Sequence, residues 1–352
     1  LCFTGFNKKG KEGFSLITKQ HRLIDVERDA AANEYLRAFT SIDIVRRIFF
    51  PLRYFKFETL SKIPGGMFND MHNFVNGEPD VFPKEHERRS PLWGDEMPYD
   101  IGGERPYIVS YYIDKEAPAV LVVPGGSYTG VAMHHEGLLV AEALNELGYH
   151  AVILRYRTSP NRYPSSHLDI YRAMQLIRKH AAENKVISDS VYAMGFSAGG
   201  HLVGSMTGVY EELKEQTGEL KDVEALPNGL ILGYPLINFD FKVFGVSAGI
   251  FLLGSGYDKV LATRISAHNL VDRNYVPTYQ WSLKGDPLVK IDGNCRLMKE
   301  ALDKHKIPNQ LHIFTGEQHG TGLSIGTKAE VWFKESLDFV EKHNRKAAEV
   351  RY

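Results

Sequence analysis

The run Gly195-Phe196-Ser197-Ala198-Gly199-Gly200 has the form G-x-S-x-G, in which a serine hydroxyl stands at the apex of a tight strand-to-helix turn. The turn is so sharp that the residues around the serine must be small. Gly195, Ala198, Gly199 and Gly200 meet that steric demand. A serine hydroxyl is a weak nucleophile until a base takes its proton, so Ser197 needs a histidine within hydrogen-bond reach and a carboxylate to orient it. In chains built around such a turn the acid and then the histidine follow the serine, each in a loop after a later strand. Asp286, in Lys284-Gly285-Asp286-Pro287-Leu288-Val289, and His319, in Glu317-Gln318-His319-Gly320, occupy those two places. Asp286 would hold the imidazole in one tautomer and stabilise its charged form. His319 would serve as general base and then as general acid.

Attack on a carbonyl also creates an oxyanion that needs hydrogen-bond donors. Pro124-Gly125-Gly126-Ser127-Tyr128 lies where such a glycine-rich donor segment belongs, so the backbone N–H of Ala198 together with that of Gly126 or Ser127 is the expected oxyanion hole. Plainer readings stand beside these. A glycine-rich turn at a helix N-terminus could cradle a phosphate, which would require neither Asp286 nor His319. Asp286 could be an ordinary turn aspartate with Asp292 as the rival acid, and His319 a surface histidine. His201, one helical turn after the serine, reads as a packing or hydrogen-bonding residue. His134-His135-Glu136 suggests metal ligation, but adjacent helical residues diverge and a third ligand is not evident. Arg155 and Arg157 could face substrate, although ion pairing with Asp169 or Glu136 suits them better.

The elements that must carry these residues are legible from about residue 115 onward, where short apolar runs alternate with helical patterns. Residues 119–123 read as a buried strand ending at Pro124-Gly125-Gly126. Residues 136–147 read as a helix with Val140, Ala143, Leu144 and Leu147 on its apolar face and Gly148 as its stop. Strands over 151–156 and 191–194 flank a helix over 165–182 with Leu168, Ala173, Leu176 and Ile177 at helical spacing. A helix from Ala198, a strand over 230–233, and then strand, helix, strand and helix over 277–283, 294–302, 310–314 and 330–341 complete a regular series. That series predicts an α/β fold with a mostly parallel, doubly wound sheet. Two regions break the rhythm. Residues 238–276 predict a cap-like helical insertion over the site, able to shape the substrate pocket. Residues 1–95 are aromatic-rich and predict a partly helical N-terminal extension, packed on the catalytic domain of residues 96–352 or on a second subunit in a homo-oligomer. Within that extension, residues 44–55 contain Arg46, Arg47 and Arg53 and suit an amphipathic helix or buried segment.

The chain has 352 residues, 43% hydrophobic and 24% charged, the profile of a globular protein rather than a disordered one. Its formal net charge of -1 argues against a broad nucleic-acid-binding surface. No stretch reaches the roughly 20 apolar residues that span a bilayer, so no membrane partner is expected. Cys2 and Cys295 are the only cysteines and do not call for a disulfide framework. The numbering opens on Leu1, which fits a start after a processed or truncated segment; a cytoplasmic location is the expectation from the remainder.

From about Ser90 to the C-terminus the chain resembles α/β-hydrolase esterases of the acetylxylan-esterase and acetyl-esterase kind, often grouped with carbohydrate esterases. The residues that carry the resemblance are Pro124-Gly125-Gly126-Ser127-Tyr128, Glu136-Gly137, Leu154-Arg155-Tyr156-Arg157, Gly195 to His201, Gly233-Tyr234-Pro235, Asp286-Pro287-Leu288-Val289 and His319-Gly320. The resemblance implies the α/β-hydrolase fold and hydrolysis of acetyl or other short acyl groups from a sugar or small alcohol, without a metal or organic cofactor. One departure is Ser127, which stands where the family commonly has a third glycine. The expected function is therefore a serine esterase acting on a small-molecule or oligosaccharide ester. An amidase, peptidase or arylformamidase of the same fold is the alternative enzyme, because a triad does not select the leaving group. A non-catalytic binding protein on the same scaffold is the alternative of another class.

Overall fold

The computed structural model describes residues 88–102, 105–239 and 247–344. The expected extension up to residue 87, Cys2 and the start of the insertion at 240–246 lie outside the described residues.

The described residues build around one sheet, strung from β1 (Arg89–Pro91), β2 (Tyr107–Tyr111), β3 (Ala117–Val123), β4 (His150–Arg155), β5 (Val186–Phe196), β6 (Leu230–Gly233), β7 (Thr278–Leu283) and β8 (Asn309–Phe314). Their spatial order is β1-β2-β4-β3-β5-β6-β7-β8, with β1, β2 and β4 paired antiparallel and every later pair parallel. Strands β4, β6 and β7 are buried at every residue and β3 at all but one, so both faces of the sheet are covered. The crossovers run through α1 (Leu139–Glu146), α2 (Ser165–Lys179), α3 (Ser197–Leu213) and α6 (Cys295–Lys304), with α4 (Ser247–Leu253) and α5 (Lys259–Ile265) in the insertion between β6 and β7 and α7 (Trp332–Lys342) following the last strand. Helix α6 shows why its residues fold this way, since Cys295, Met298 and Leu302 fall on one face and are the residues it buries.

The winding locates the crevice. From β3 the chain crosses through α1 to β4 on one side, then through α2 to β5 on the other side of β3. The loops leaving β3 and β5 thus part at their carboxyl ends, which is where α/β sheets leave room for ligands. These are the loops that carry Gly126 and Ser197.

Three local details differ from the sequence pattern. Strand β5 begins at Val186 rather than at 191, because Val186 pairs with Ala117 although Ser188 and Asp189 between them and the core are exposed. The helix expected over 136–147 opens instead with one wide turn at His134–Leu138, in which the Leu138 N–H reaches back to the Met133 carbonyl. The sheet also takes in Arg89–Pro91, upstream of the expected boundary at residue 96. This edge segment is held by a buried charge pair. Asp169 accepts from Trp93 Nε1 at 2.7 Å and from Arg157 Nη2 at 2.8 Å, and the side chains of Arg157 and Asp169 are fully buried. The expected pairing of Arg157 with Asp169 is thus made.

Candidate active site

Strand β5 ends at Phe196 and α3 begins at Ser197, whose backbone is forced to a φ of 51°, a left-handed value that few residues with a Cβ adopt. The neighbouring glycines show what makes the turn so tight. A methyl group on Gly199 would sit 2.1 Å from the Val123 carbonyl oxygen, one on Gly195 would sit 2.4 Å from the Gly199 carbonyl oxygen, and one on Gly200 would sit 2.7 Å from Pro235 Cβ. The start of α3 is therefore pressed against the ends of β3 and the loop after β6. Gly199→Ala is expected to destabilise the protein by at least about 3 kcal/mol, since both close neighbours are backbone that cannot swing aside. Urea unfolding measures this, and a loss under about 1 kcal/mol would contradict the packing of α3 on β3.

Ser197 stands in a continuous hydrogen-bonded chain. Its hydroxyl donates to His319 Nε2 at 2.8 Å, and His319 Nδ1 donates to Asp286 Oδ2 at 2.7 Å. The carboxylate sets the tautomer, because an ionised acceptor calls for the imidazole proton on Nδ1 and leaves Nε2 free to accept. Asp286 is 1% exposed, and its other oxygen, Oδ1, accepts the N–H groups of Leu288 and Val289 at 2.8 Å each. The rival Asp292 points away: its side chain is 90% exposed and pairs with Arg296. The register of the sheet explains the convergence. Leu283 at the end of β7 pairs with Phe314 at the end of β8, so the two following loops lie side by side, and the Gly285 N–H donates to the Gly316 carbonyl at 2.7 Å.

The loop after β3 reaches the same place. Val123 pairs with Gly195, so two residues further along Gly125 arrives beside Ser197; a methyl group on Gly125 would come within 2.8 Å of Ser197 Cβ. Gly126, Ser127 and Tyr128 then follow with φ values of 133°, 55° and 59°. Ser127 thus adopts the left-handed backbone in which glycine is the easier residue. The bend is secured by Thr129 Oγ1 and the Thr129 N–H, both donating to the Gly126 carbonyl, and by the Tyr128 carbonyl, which accepts the Ser159 N–H at 2.8 Å. Ala198, the remaining expected donor, is the second residue of α3, where an N–H has no acceptor inside the helix.

His201 is buried and bonds away from Ser197. Its Nε2 donates to the Ile265 carbonyl at 2.8 Å, which leaves Nδ1 to accept the Tyr128 hydroxyl at 2.6 Å, so one imidazole links the loop after β3 to the insertion. Further ties hold the insertion, with Tyr163 N–H donating to the Leu252 carbonyl and Ala267 N–H to the Ile237 carbonyl, both at 2.8 Å. Burial pushes His201 down to about 4, with the Ile265 carbonyl opposing that shift. The folded protein then keeps His201 neutral while an unfolded chain protonates it near its ordinary 6.5. The stability that His201 contributes in this way is full above pH 6.5 and falls by roughly 3 kcal/mol as pH drops toward 4. Urea midpoints at pH 7 and pH 4.5 are expected to differ less in His201→Gln than in the natural protein; equal differences would assign the acid sensitivity elsewhere.

His134 and His135 do not converge with a third ligand, and among the described residues no group of three His, Cys, Asp or Glu side chains is placed to hold a metal ion. Glu136 has another setting. It is 2% exposed, with Oε2 accepting the Gly125 N–H at 2.6 Å and Oε1 accepting the Tyr234 hydroxyl at 2.7 Å. In the linear sequence this glutamate is a candidate for a metal or for an arginine pair. Its sequence signal is the Glu136-Gly137 pair within the family resemblance, which does not name its partners. Cys295 is a buried free thiol, pushed up to about 12 by burial first and by the nearby Asp286 second, and so is unreactive. No helix of the described residues is long and apolar enough to cross a membrane.

Comparison with known proteins places these features in a family. The BD-FAE family profile matches residues 109–300, more than half of the chain. Endo-1,4-beta-xylanase B of Butyrivibrio fibrisolvens is 32% identical over 211 residues, covering 59% of this chain and 33% of that protein. The acetylxylan esterase of Xylanibacter ruminicola is 29% identical over 219 residues, covering 61% of this chain and 42% of that protein. The chain thus spans less than half the length of these curated relatives. Among solved structures, the acetyl ester-xyloside bifunctional hydrolase of Caldicellulosiruptor lactoaceticus superposes with a TM-score of 0.65 at 32% identity, over 72% of this chain and 95% of that one. The chain belongs to the BD-FAE family and carries an ester-hydrolase domain of the α/β-hydrolase fold.

Proposed function

We propose that this domain is a serine esterase that removes short acyl groups, foremost acetyl, from the hydroxyls of carbohydrates or small alcohols. The observation that carries the reading is the unbroken chain from Ser197 Oγ through His319 to Asp286. Ser197 Oγ attacks the acyl carbon as its proton passes to His319 Nε2. The resulting oxyanion is received by the backbone N–H groups of Ala198 and of Gly126 or Ser127. Collapse breaks the ester bond, and the departing alcohol takes the proton from His319. Water then attacks the acyl-serine as its proton passes to His319; the bond between the acyl carbon and Ser197 Oγ breaks, His319 returns the proton to Oγ, and the carboxylic acid leaves. Asp286 keeps Nδ1–H oriented and stabilises the imidazolium in both halves.

The acetyl preference is supported by two relatives, one an acetylxylan esterase and one an acetyl ester-xyloside bifunctional hydrolase. The test is a panel of p-nitrophenyl acetate, butyrate and octanoate, acetylated xylo-oligosaccharides and aminoacyl p-nitroanilides. Acetyl esters are expected to give the highest kcat/KM, with acetate released from the oligosaccharides. Faster turnover of the anilides, or of octanoate, would overturn the assignment of substrate class.

A further inference from the structure

Two loops from distant parts of the chain must be held in register for this chemistry, the one after β3 and the one carrying His319. Both rest on the same wide turn at His134–Leu138. The Glu136 carboxylate accepts the Gly125 N–H with one oxygen and the Tyr234 hydroxyl with the other, and Tyr234 Oη in turn accepts the Gly322 N–H at 2.9 Å. The loop beyond His319 also touches the turn directly, for a methyl group on Gly322 would fall 2.4 Å from the His135 carbonyl oxygen. The Tyr234 ring stands edge-on to the His319 imidazole, with centroids 4.9 Å apart. Tyr234 is 1% exposed and its phenol is held well above the ordinary range by burial and then by Glu136, so it stays a donor to the carboxylate.

We propose that Glu136 is a positioning residue for the ester-cleaving site: its carboxylate sets the spacing between the Gly125–Gly126 backbone and His319 by binding Gly125 directly and Gly322 through the Tyr234 hydroxyl. The inference rests on the serine-esterase reading above. A carboxylate suits the task because both of its oxygens accept, whereas an amide presents one acceptor and one donor. With water excluded, a donor that loses its acceptor there is left unpaired or moves the loop that bears it. A displacement of about 1 Å in a catalytic group costs up to roughly 10²-fold in rate, and the cost falls on the transition state, where the donors and the base act together.

The experiment compares the natural protein with Glu136→Gln, Tyr234→Phe, the double variant and Ser197→Ala, using p-nitrophenyl acetate turnover, an aryl boronate that forms a tetrahedral serine adduct, and thermal unfolding. Glu136→Gln is expected to lower kcat by about 10- to 100-fold with KM within about three-fold, and to weaken the boronate in parallel. Tyr234→Phe is expected to lower kcat by about ten-fold, and the double variant to be no worse than the weaker single variant by more than about two-fold, since both cut one connection. A residue that only stabilised the fold would shift the melting temperature while leaving kcat of the folded enzyme intact. Losses that multiply in the double variant, or that appear in KM alone, overturn the proposal, as does kcat within two-fold of the natural protein in both single variants. Should Glu136→Gln fail to fold, Tyr234→Phe decides by the same two-fold criterion. Turnover surviving in Ser197→Ala would remove the serine reading and this inference together, whereas loss there with intact turnover in the other variants removes this inference alone.

Discussion

Ser197→Ala is expected to lower kcat for p-nitrophenyl acetate by a factor on the order of 10⁶, with the melting temperature little changed. In the proposed mechanism the serine hydroxyl forms the covalent bond to the acyl carbon, so its removal leaves substrate binding and the oxyanion donors. Alanine keeps the Cβ, hence the same backbone demand at φ 51°, and the Leu236 N–H still reaches the residue's carbonyl oxygen. The fold should therefore persist. Labelling by a fluorophosphonate should disappear in parallel, since that probe needs the same hydroxyl. Retention of more than about one per cent of turnover in purified Ser197→Ala would refute the nucleophile assignment, given a residual expected from the triad-less site orders of magnitude lower.

Asp286→Asn is expected to cost about 10⁴-fold in kcat while preserving the geometry around it. The reason lies in the two halves of the carboxylate. Oδ1 is claimed by the N–H groups of Leu288 and Val289, so an asparagine must turn its oxygen toward them and its NH₂ toward His319. The imidazole then has to accept at Nδ1 and carry its proton on Nε2, where it faces the Ser197 hydroxyl and can no longer receive that proton. Asp292→Asn, by contrast, removes a charge from a side chain that is 90% exposed and should leave kcat within about two-fold. If the Asp292 variant were the impaired one, the acid would have to be reassigned. Parallel kinetics on both variants, with circular dichroism to verify folding, provide the comparison.

Much of the site is legible in residue order because its chemistry sits at local signals. A tight turn demands Gly195, Gly199 and Gly200 around Ser197, and turn residues such as Gly285, Pro287, Gly316 and Gly320 mark the loops that carry Asp286 and His319. Helices such as α6 likewise announce themselves by the spacing of Cys295, Met298 and Leu302. These are short-range constraints, set by sterics and by the period of one element.

The choice between Asp286 and Asp292 is of another kind. Both are aspartates near the same turn, and only the pairing of β7 with β8 brings one beside His319 while leaving the other in solvent. Glu136 was open to a metal or an arginine in the linear chain, and took Gly125 and Tyr234 as partners once the winding of β3 and β6 had brought them together; Tyr234 lies 98 positions away. His201 follows the same logic, its neutral state being settled by burial against Tyr128 and Ile265. Residue types and their order along the chain determine which chemistry is available, because they depend on contacts within a few positions. Which aspartate lies beside His319, which glutamate joins the loops and which histidine is buried away from Ser197 depend on contacts made across the sheet, and these exist only after the chain has folded.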